Sequence, residues 1–334
     1  HQINYLLRLL ELSQRHAPSL LREMLGKPLF CYSNVPYRIA SFENLLADSK
    51  DTVSFDEEEA RRIEARCEKL GSDGRLVVDP QGQVLLVGLA EKLFVPLMAK
   101  LGNLVPRGGI WMNTQRPEWN DANNALVGSG LSMVTLCYMR RYVAFLQELL
   151  ATDEGRYSFG TELADWIAAT TAALKKAGEV IASQKWSPAE QYSLFRELGE
   201  AASQFRESIY RTRCPAGTRE VDGRELRALL DAALVVLDDS IRANRCEDGL
   251  YHAYNLLLDC QGKLKIGHLY PMLEGQVAVL SSGLLDAIES ADLLEALFAS
   301  PMYREDQKSF TLYPDASGVS FLEKNRIPAE RLQK

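Results

Sequence analysis

Apolar residues recur at helical spacing through most of this chain, and that periodicity constrains the fold more than any other feature of the sequence. One helical segment begins with Ser54 and Glu57 at capping-box spacing, and another places Ser187 ahead of Pro188 and Glu190. About ten segments carry the pattern: 2–15, 17–26, 54–71, 88–102, 128–151, 160–182, 187–210, 223–244, 271–287 and 290–299. The pattern predicts an all-α protein.

Strand signals are few and short. The segments RLVVDPQGQVLLV (75–87) and LYHAYNLLLDCQGKLKIGHLY (250–270) each have turn residues between two apolar runs, which is typical of a β-hairpin. We expect both to be short hairpins in the loops of a helical body. Because no Pro- or Ser-rich linker divides the chain, residues 1–334 are predicted to form a single helical domain.

Helices in this number suit an (α/α)6-type toroid, in which antiparallel helix pairs repeat in structure without repeating in sequence. A complete toroid of six pairs needs twelve helices, whereas the pattern predicts about ten. Either one pair escapes the pattern, or the barrel lacks one end and a partner domain or chain completes it. The chain starts at His1 inside a helical pattern, which is typical of a fragment of a longer chain.

Composition excludes several classes of protein. The net charge is −7 and no dense Lys/Arg run is present, so phosphate-rich nucleic acid is not an expected partner. No apolar run approaches the roughly 20 residues that span a bilayer, and the N-terminal segment lacks the pattern of a signal peptide. The sequence predicts a soluble, cytoplasmic protein.

Cysteine and histidine spacing argues against a metal centre. The six cysteines lie far apart with no pair at zinc spacing, and His252 and His268 are the only histidines beyond residue 16. Buried thiols in a reducing compartment are the simplest interpretation. Neither a metal nor an organic cofactor is expected.

One segment, TQRPEWNDANNALVGSG (114–130), is unusually polar for a stretch that leads into an apolar helix. Pro117 disfavours helix at Arg116, so Glu118 enters on an extended or turning backbone. Trp119 follows it, and an indole beside a carboxylic acid can desolvate that acid and raise its pKa, as a general acid near neutral pH requires. Glu118 is therefore a candidate general acid.

The neighbouring side chains fit a carbohydrate, because indoles stack on sugar rings and amides bond hydroxyl groups. The predicted substrate contacts here are Trp111, Arg116, Trp119, Asn120, Asn123 and Asn124. A plain helix cap is the alternative, with Asp121 or Asn123 at the N-cap and Trp119 as a hydrophobic staple. Residue types alone leave both interpretations open.

The segment PEWNDANNALVGSGLSMVTLCYMRRYVAFLQELL (117–150) resembles the catalytic-acid segment of the cellobiose and cellodextrin phosphorylase family. That pattern is close to GDWNDGMN followed by Val-Gly, a small-residue turn and a long apolar helix. The resemblance implies an (α/α)-barrel that cleaves a glycosidic bond by inversion, with Glu118 at the position of the acid. Glu replaces the Asp of the family there, which keeps the chemistry and lengthens the side chain by one methylene.

A second segment, MLEGQVAVLSSGLLDAIESADLLEAL (272–297), is similar to the late helix of that family, whose form is S-Q-S-W-A-V-L-S-G. The run Ala278 to Ser281 stands in corresponding places. Gln276 lies one place closer to that run than the Gln of the family, and Val277 replaces its Trp. The resemblance implies that Gln276 contacts substrate.

Two reactions remain open. An inverting hydrolase needs a second carboxylate as base, for which Glu274 is the candidate, whereas a phosphorylase uses phosphate as the nucleophile and co-substrate. Candidate phosphate ligands are Arg107, Arg116, His268, Ser281 and Ser282. Glu274 also fits a plain carboxylate in the first turn of its helix. Asp121 is assigned a supporting catalytic role.

The predicted function is thus an inverting carbohydrate-active enzyme that acts on a glucan or oligosaccharide, and Glu274 tips the choice slightly toward hydrolysis. The competing hypothesis is a non-catalytic helical toroid that binds carbohydrate or protein and keeps the loop for its shape.

Overall fold

The computed structural model describes residues 2–114, 125–152, 154–314 and 321–327. Helices account for most of the described chain, and none of them combines the length and apolarity needed to cross a membrane. In chain order they are α1 Gln2–His16, α2 Pro18–Gly26, α3 Phe42–Ala47, α4 Glu57–Leu70, α5 Leu89–Leu101, α6 Met133–Leu150, α7 Thr161–Ala182, α8 Pro188–Thr212, α9 Gly223–Arg242, α10 Leu273–Ser281, α11 Ala287–Ala299 and α12 Phe321–Lys324.

The strands form four antiparallel sheets, of which the largest has five strands in the order β3-β4-β5-β8-β9 and curls into a half-barrel. The remaining sheets are the pairs β1-β2, β6-β7 and β10-β11. The strands are β1 Tyr37–Ile39, β2 Val53–Phe55, β3 Leu104–Val105, β4 Gly109–Trp111, β5 Gly130–Ser132, β6 Arg156–Gly160, β7 Thr218–Asp222, β8 Tyr254–Asp259, β9 Lys265–His268, β10 Tyr303–Arg304 and β11 Ser309–Phe310.

The all-α prediction is wrong. The structure is 56% helical with 15% strand, and the curled sheet makes it a mixed α/β fold rather than an (α/α)6 toroid. The expectation that a partner domain or chain completes a barrel depended on that toroid. Strands of two to six residues are too short to show a clear alternation, and β5 pairs with β8 across more than a hundred residues, with Leu131 opposite Asn255.

Helix packing places α9 at the centre of the helical layer. It packs against α6 on one side and α7 on the other, and α7 in turn packs against α8. The main hydrophobic core takes buried side chains from α1, α2 and α5 to α11. The ion pair of Arg141 with Glu11, at 2.7 Å, ties α1 to α6 at the edge of this core.

Most predicted helices are present, with shifted ends. Ser187 caps α8 as predicted, since its hydroxyl accepts from the N–H of Glu190 at 3.3 Å. The predicted cap Ser54 lies instead in β2, and Asp56 caps α4 by accepting from the N–H of Glu59. Asp56 immediately precedes the helix, so its carboxylate bonds the free N–H groups of the first turn in place of the Ser54 hydroxyl.

Of the two predicted hairpins, only the second forms a regular pair of strands. Residues 250–270 contain the predicted hairpin as β8 and β9, whereas residues 75–87 form only isolated bridges, such as Val78 with Val84. The prediction of helix from residue 128 was also wrong at its start. Gly130–Ser132 is strand β5, and α6 begins at Met133.

Candidate functional site

The predicted acid-bearing loop joins two neighbouring strands of the central sheet. It leaves the end of β4 after Trp111 and returns at Gly130, the first residue of β5. The loop residues Arg116, Glu118, Trp119, Asn120, Asp121, Asn123 and Asn124 lie outside the described residues. The structure does describe the residues that hold the two ends of the loop.

Hydrogen bonds close the base of this loop. The indole Nε1–H of Trp111 donates to the carbonyl oxygen of Gly128 at 2.9 Å, and the N–H of Gly128 donates to the carbonyl of Met112 at 2.7 Å. The N–H of Met112 in turn donates to the carbonyl of Gly130 at 2.9 Å. Because backbone groups from both stems bond each other, the ends of the loop are held together on the sheet.

Only glycine fits at position 128. Its φ is +94°, and a Cβ there would lie 2.6 Å from the Cβ of Ser49. The turn after α3 therefore presses against the returning stem. This close approach places Ser49 beside the candidate loop, although the two are far apart in sequence.

Trp111 is part of the hydrophobic core. It is only 3% exposed and packs edge-on against Phe42 and Phe195, with ring centroids 6.4 Å and 5.6 Å away. An indole with no exposed face cannot stack on a sugar ring, so the predicted substrate contact at Trp111 is corrected to a role beneath the loop. Asn113, the next polar residue, is also buried and donates to Asn103.

Glu274 lies in the first turn of α10 and is half-buried. Its carboxylate makes no hydrogen bond or ion pair with the part of the chain that the structure describes. A Cβ on the adjacent Gly275 would lie 2.8 Å from the Cβ of Ala253, whose carbonyl accepts from the N–H of Met133. Gly275 thus contacts the chain beside Met133, at the end of β5 opposite Gly130, where the loop returns.

Gln276 is fully buried and satisfied. Its Oε1 accepts from the N–H of Tyr251 at 2.8 Å, and its Nε2 donates to the carbonyls of Tyr251 and Met272 at 2.8 and 2.9 Å. Both N–H groups of the amide are used, and complete burial keeps a ligand hydroxyl from the remaining lone pair of Oε1. The predicted substrate contact at Gln276 is therefore corrected: this amide anchors α10 to the chain that enters β8.

Arg107 lies in the turn between β3 and β4, at the end of the sheet opposite the candidate loop. Its guanidinium donates to both oxygens of Asp239 at 2.8 Å, and its backbone has φ +57°, an uncommon value for a residue with a side chain. Asp239 also accepts from the indole of Trp186 at 3.1 Å. The bidentate hydrogen bonds to Asp239 raise the pKa of Arg107. They also occupy guanidinium N–H groups that a phosphate would need.

A buried amide network continues from this turn. Asn255 donates to the carbonyl of Gly108 at 2.8 Å and to Oδ1 of Asn244 at 2.7 Å, and its own Oδ1 accepts from Nδ1 of His268 at 2.8 Å. Both asparagines are fully buried. The network ties β8 to the end of α9 and to the β3–β4 turn. The sequence offers a signal for it, since Asn255 interrupts an apolar strand.

Two stacked imidazoles lie next to this amide network. The rings of His252 and His268 lie 4.3 Å apart at 14°. Nδ1 of His252 donates to the carbonyl of Leu269 at 2.8 Å, which leaves Nε2 to face the Sγ of Cys246 at 3.4 Å. Burial raises the pKa of Cys246 to about 11, so its thiol is the donor, and desolvation with the nearby His252 lowers the pKa of His268. The Cys246 thiol and the His268 imidazole are therefore neutral near pH 7.

No group of three or more His, Cys, Asp or Glu side chains within the described ranges could hold a metal ion. The stacked histidines face different partners, and Cys246 lies near only one of them. Ser282, another candidate phosphate ligand, is buried, and its hydroxyl donates to the carbonyl of Val279 at 2.6 Å.

Compared with known proteins, the chain matches no protein-family model and no curated protein. The resemblance of residues 117–150 to the cellobiose and cellodextrin phosphorylase family stays a prediction. The function is therefore inferred from the residues and from the frame around the loop.

Proposed function

We propose that this protein cleaves a glycosidic bond in a glucan or oligosaccharide by inversion, with Glu118 as general acid. The observation that carries the proposal is the locked base of the loop. Trp111 and Gly128 join its stems on a buried sheet, and catalytic side chains are characteristically borne on loops that a rigid scaffold positions.

In this reaction Glu118 protonates the leaving glycosidic oxygen. Glu274 is the proposed base and takes a proton from the water that attacks the opposite face of the sugar; acid and base in such enzymes lie about 6.5–9.5 Å apart. Asp121 supports the turn that bears Glu118. Arg116, Trp119, Asn120, Asn123 and Asn124 are the proposed sugar contacts.

Hydrolysis is favoured over phosphorolysis by the occupancy of the candidate ligands. Arg107 is held by Asp239, Ser282 by a helix carbonyl, and His268 uses one ring nitrogen on Asn255. Glu274 has no partner within the described ranges and would repel phosphate. A phosphorylase with inorganic phosphate as co-substrate is the alternative within this class.

The cytoplasm is the proposed location. All six cysteines are free thiols, and thiols persist in a reducing compartment.

The first experiment measures reducing-sugar release from a panel of α- and β-linked gluco-oligosaccharides, with and without phosphate. We expect release without phosphate. Release only in the presence of phosphate would replace hydrolysis by phosphorolysis, and silence across the panel would contradict both.

Exchange of Glu118 for Gln tests the acid. We expect Glu118→Gln to reduce turnover by about 100-fold or more while the thermal unfolding midpoint stays unchanged, because general acid catalysis contributes factors of this size. Glu118→Asp, which restores the residue of the resembled family, is the matched control and should retain measurable activity. Glu274→Gln should abolish hydrolysis, whereas a phosphorylase would keep its phosphate-dependent reaction after the same exchange. Full activity in Glu118→Gln would contradict the assignment.

A non-catalytic carbohydrate- or protein-binding protein is the second candidate. It is favoured by the burial of Trp111 and Gln276, which removes two of the predicted sugar contacts from the surface. Oligosaccharide binding by calorimetry, with no turnover of any panel member, would favour this candidate.

A further inference from the structure

The small sheet β1-β2 has one open edge. Ala40 N–H donates to Thr52 O, and Asp56 N–H donates to Pro36 O, so hydrogen-bonded pairs alternate along the ladder. By that alternation the N–H and C=O groups of Val53 and Phe55 point away from β1. Neither residue makes a hydrogen bond across this outer edge to the described part of the chain.

The opposite edge of the same sheet is covered. The N–H of Ile39 in β1 donates to the hydroxyl of Tyr210 at 3.0 Å, and the Arg38 guanidinium donates to the backbone carbonyl of Tyr210. Of the two strands, β2 is therefore the one whose outer edge has no partner among the described residues. Unpaired strand edges are templates for added strands.

An open groove of about 780 Å³ has Phe55 of β2 in its lining. The rest of the lining comes from α4, the extended segment 34–36 and Arg75. Its apolar lining includes Val35, Pro36, Phe55, Ala60 and Ile63. Val35 and Phe55 are 56% and 47% exposed, which is unusual for apolar side chains that line one concavity.

Charge around the groove is predominantly acidic. Glu64 and Glu68 line the α4 wall, and neither forms an ion pair with a described residue. Arg75 is the single basic side chain of the lining. Asp51 and Glu57, at the two ends of β2, are exposed carboxylates that likewise form no ion pair among the described residues.

We propose that this groove binds an extended basic peptide segment, which adds a strand to the edge of β2. Its backbone pairs with Val53 and Phe55, an apolar side chain enters between Phe55 and Ile63, and flanking lysines or arginines face Glu64 and Glu68. Residues that alternate along an added strand share one face, so basic and apolar side chains two residues apart all face the groove.

The probe is the labelled peptide acetyl-Lys-Thr-Val-Thr-Lys-amide, titrated with the full chain and followed by fluorescence anisotropy. Its lysines and valine share one face, and its threonines face solvent. We expect saturable binding of this peptide and none of acetyl-Glu-Thr-Val-Thr-Glu-amide. Binding should slow amide hydrogen exchange at Val53 and Phe55.

Backbone pairing is tested by N-methylation of the probe. The valine N–H faces β2 in the proposed register, whereas the threonine N–H groups face away. Methylation of the valine nitrogen should abolish binding, and methylation of one threonine nitrogen should leave it within about 2-fold, since that N–H makes no bond to the protein.

Charge is tested on the protein. Glu64→Gln with Glu68→Gln should weaken binding by about 3- to 10-fold, because each exposed ion pair contributes little. Glu220→Gln with Glu247→Gln removes the same charge from exposed positions outside the groove and should leave affinity unchanged.

Three results would overturn the proposal. They are equal binding of the lysine and glutamate peptides, binding that survives methylation of the valine nitrogen, and no binding of any peptide. A dimer formed through β2, seen by sedimentation, would also overturn it and make a second copy of this chain the occupant.

Discussion

At the scale of single residues, Gln276 shows how an amide that resembles a ligand-binding group can belong to the framework. The motif in which it stands implied contact with sugar, yet all of its hydrogen bonds go to backbone groups of Tyr251 and Met272. Its complete burial makes those bonds important, because an unpaired buried N–H or C=O costs free energy.

Exchange of Gln276 for Leu should therefore destabilise the protein. The N–H and C=O of Tyr251 lose their partners, and we expect the free energy of unfolding to fall by about 2–4 kcal/mol. Urea unfolding followed by circular dichroism measures this change. Val277→Ala, at the exposed neighbouring position, should cost about 0.5 kcal/mol or less. Unchanged stability with lost sugar binding would instead return Gln276 to the substrate site.

At the scale of elements, α3 and α8 approach so closely that one glycine governs their packing. A Cβ on Gly199 of α8 would lie 2.2 Å from the ring of Phe42. Phe42 also contacts Trp111, so this helix contact supports the base of the candidate loop. Glycine normally weakens a helix, and here the space it leaves for the ring outweighs that cost.

Gly199→Ala should accordingly destabilise the protein by about 1–3 kcal/mol, as overpacking does in a dense core. Thermal unfolding gives the measurement. Gly178→Ala in α7 is the matched control, since its Cβ would meet the nearest atom, on Val235, at an ordinary 3.6 Å, and it should stabilise by up to about 1 kcal/mol. A stabilising Gly199→Ala would mean that Phe42 moves freely.

At the scale of the whole molecule, the buried carboxyl of Glu91 joins three distant parts of the chain. Glu91 lies in the first turn of α5, accepts from the hydroxyl of Tyr32 at 2.7 Å, and accepts from the N–H of Gly160, just ahead of α7, at 2.9 Å. Burial raises the pKa of Glu91 above its ordinary range, and the hydrogen bonds from Tyr32 and Gly160 only partly oppose that effect.

This raised pKa predicts a pH dependence of stability. A carboxyl whose pKa is higher in the folded state contributes stability below its unfolded pKa, and that contribution is lost as the pH rises through the folded value. We expect the free energy of unfolding of the native protein, minus that of Glu91→Gln, to fall as the pH rises above about 4, the ordinary pKa of a glutamate. Urea titrations at each pH measure it. A rise for Glu91→Gln would contradict the assignment.

The sequence by itself determined the helices well, because caps and helical periodicity act over a few residues. Ser187 caps α8 as predicted, and the helix that starts at Thr161 ends at Ala182 as the pattern indicated. The sequence also singled out residues 114–130 as the candidate loop, whereas Glu118 as its acid rests on the family resemblance and stays a prediction.

The tertiary structure alone decided the central sheet and the fates of the candidate side chains. Strand β5 is three residues long and pairs with β8 more than a hundred residues along the chain, so no local pattern indicates it. Trp111 could contact either a sugar or the hydrophobic core, and Gln276 either a ligand or the backbone. The outcome depends on which distant segments of the chain cover these side chains. Helices form from contacts within a turn or two, whereas sheets and burial arise from contacts that only the folded chain brings together.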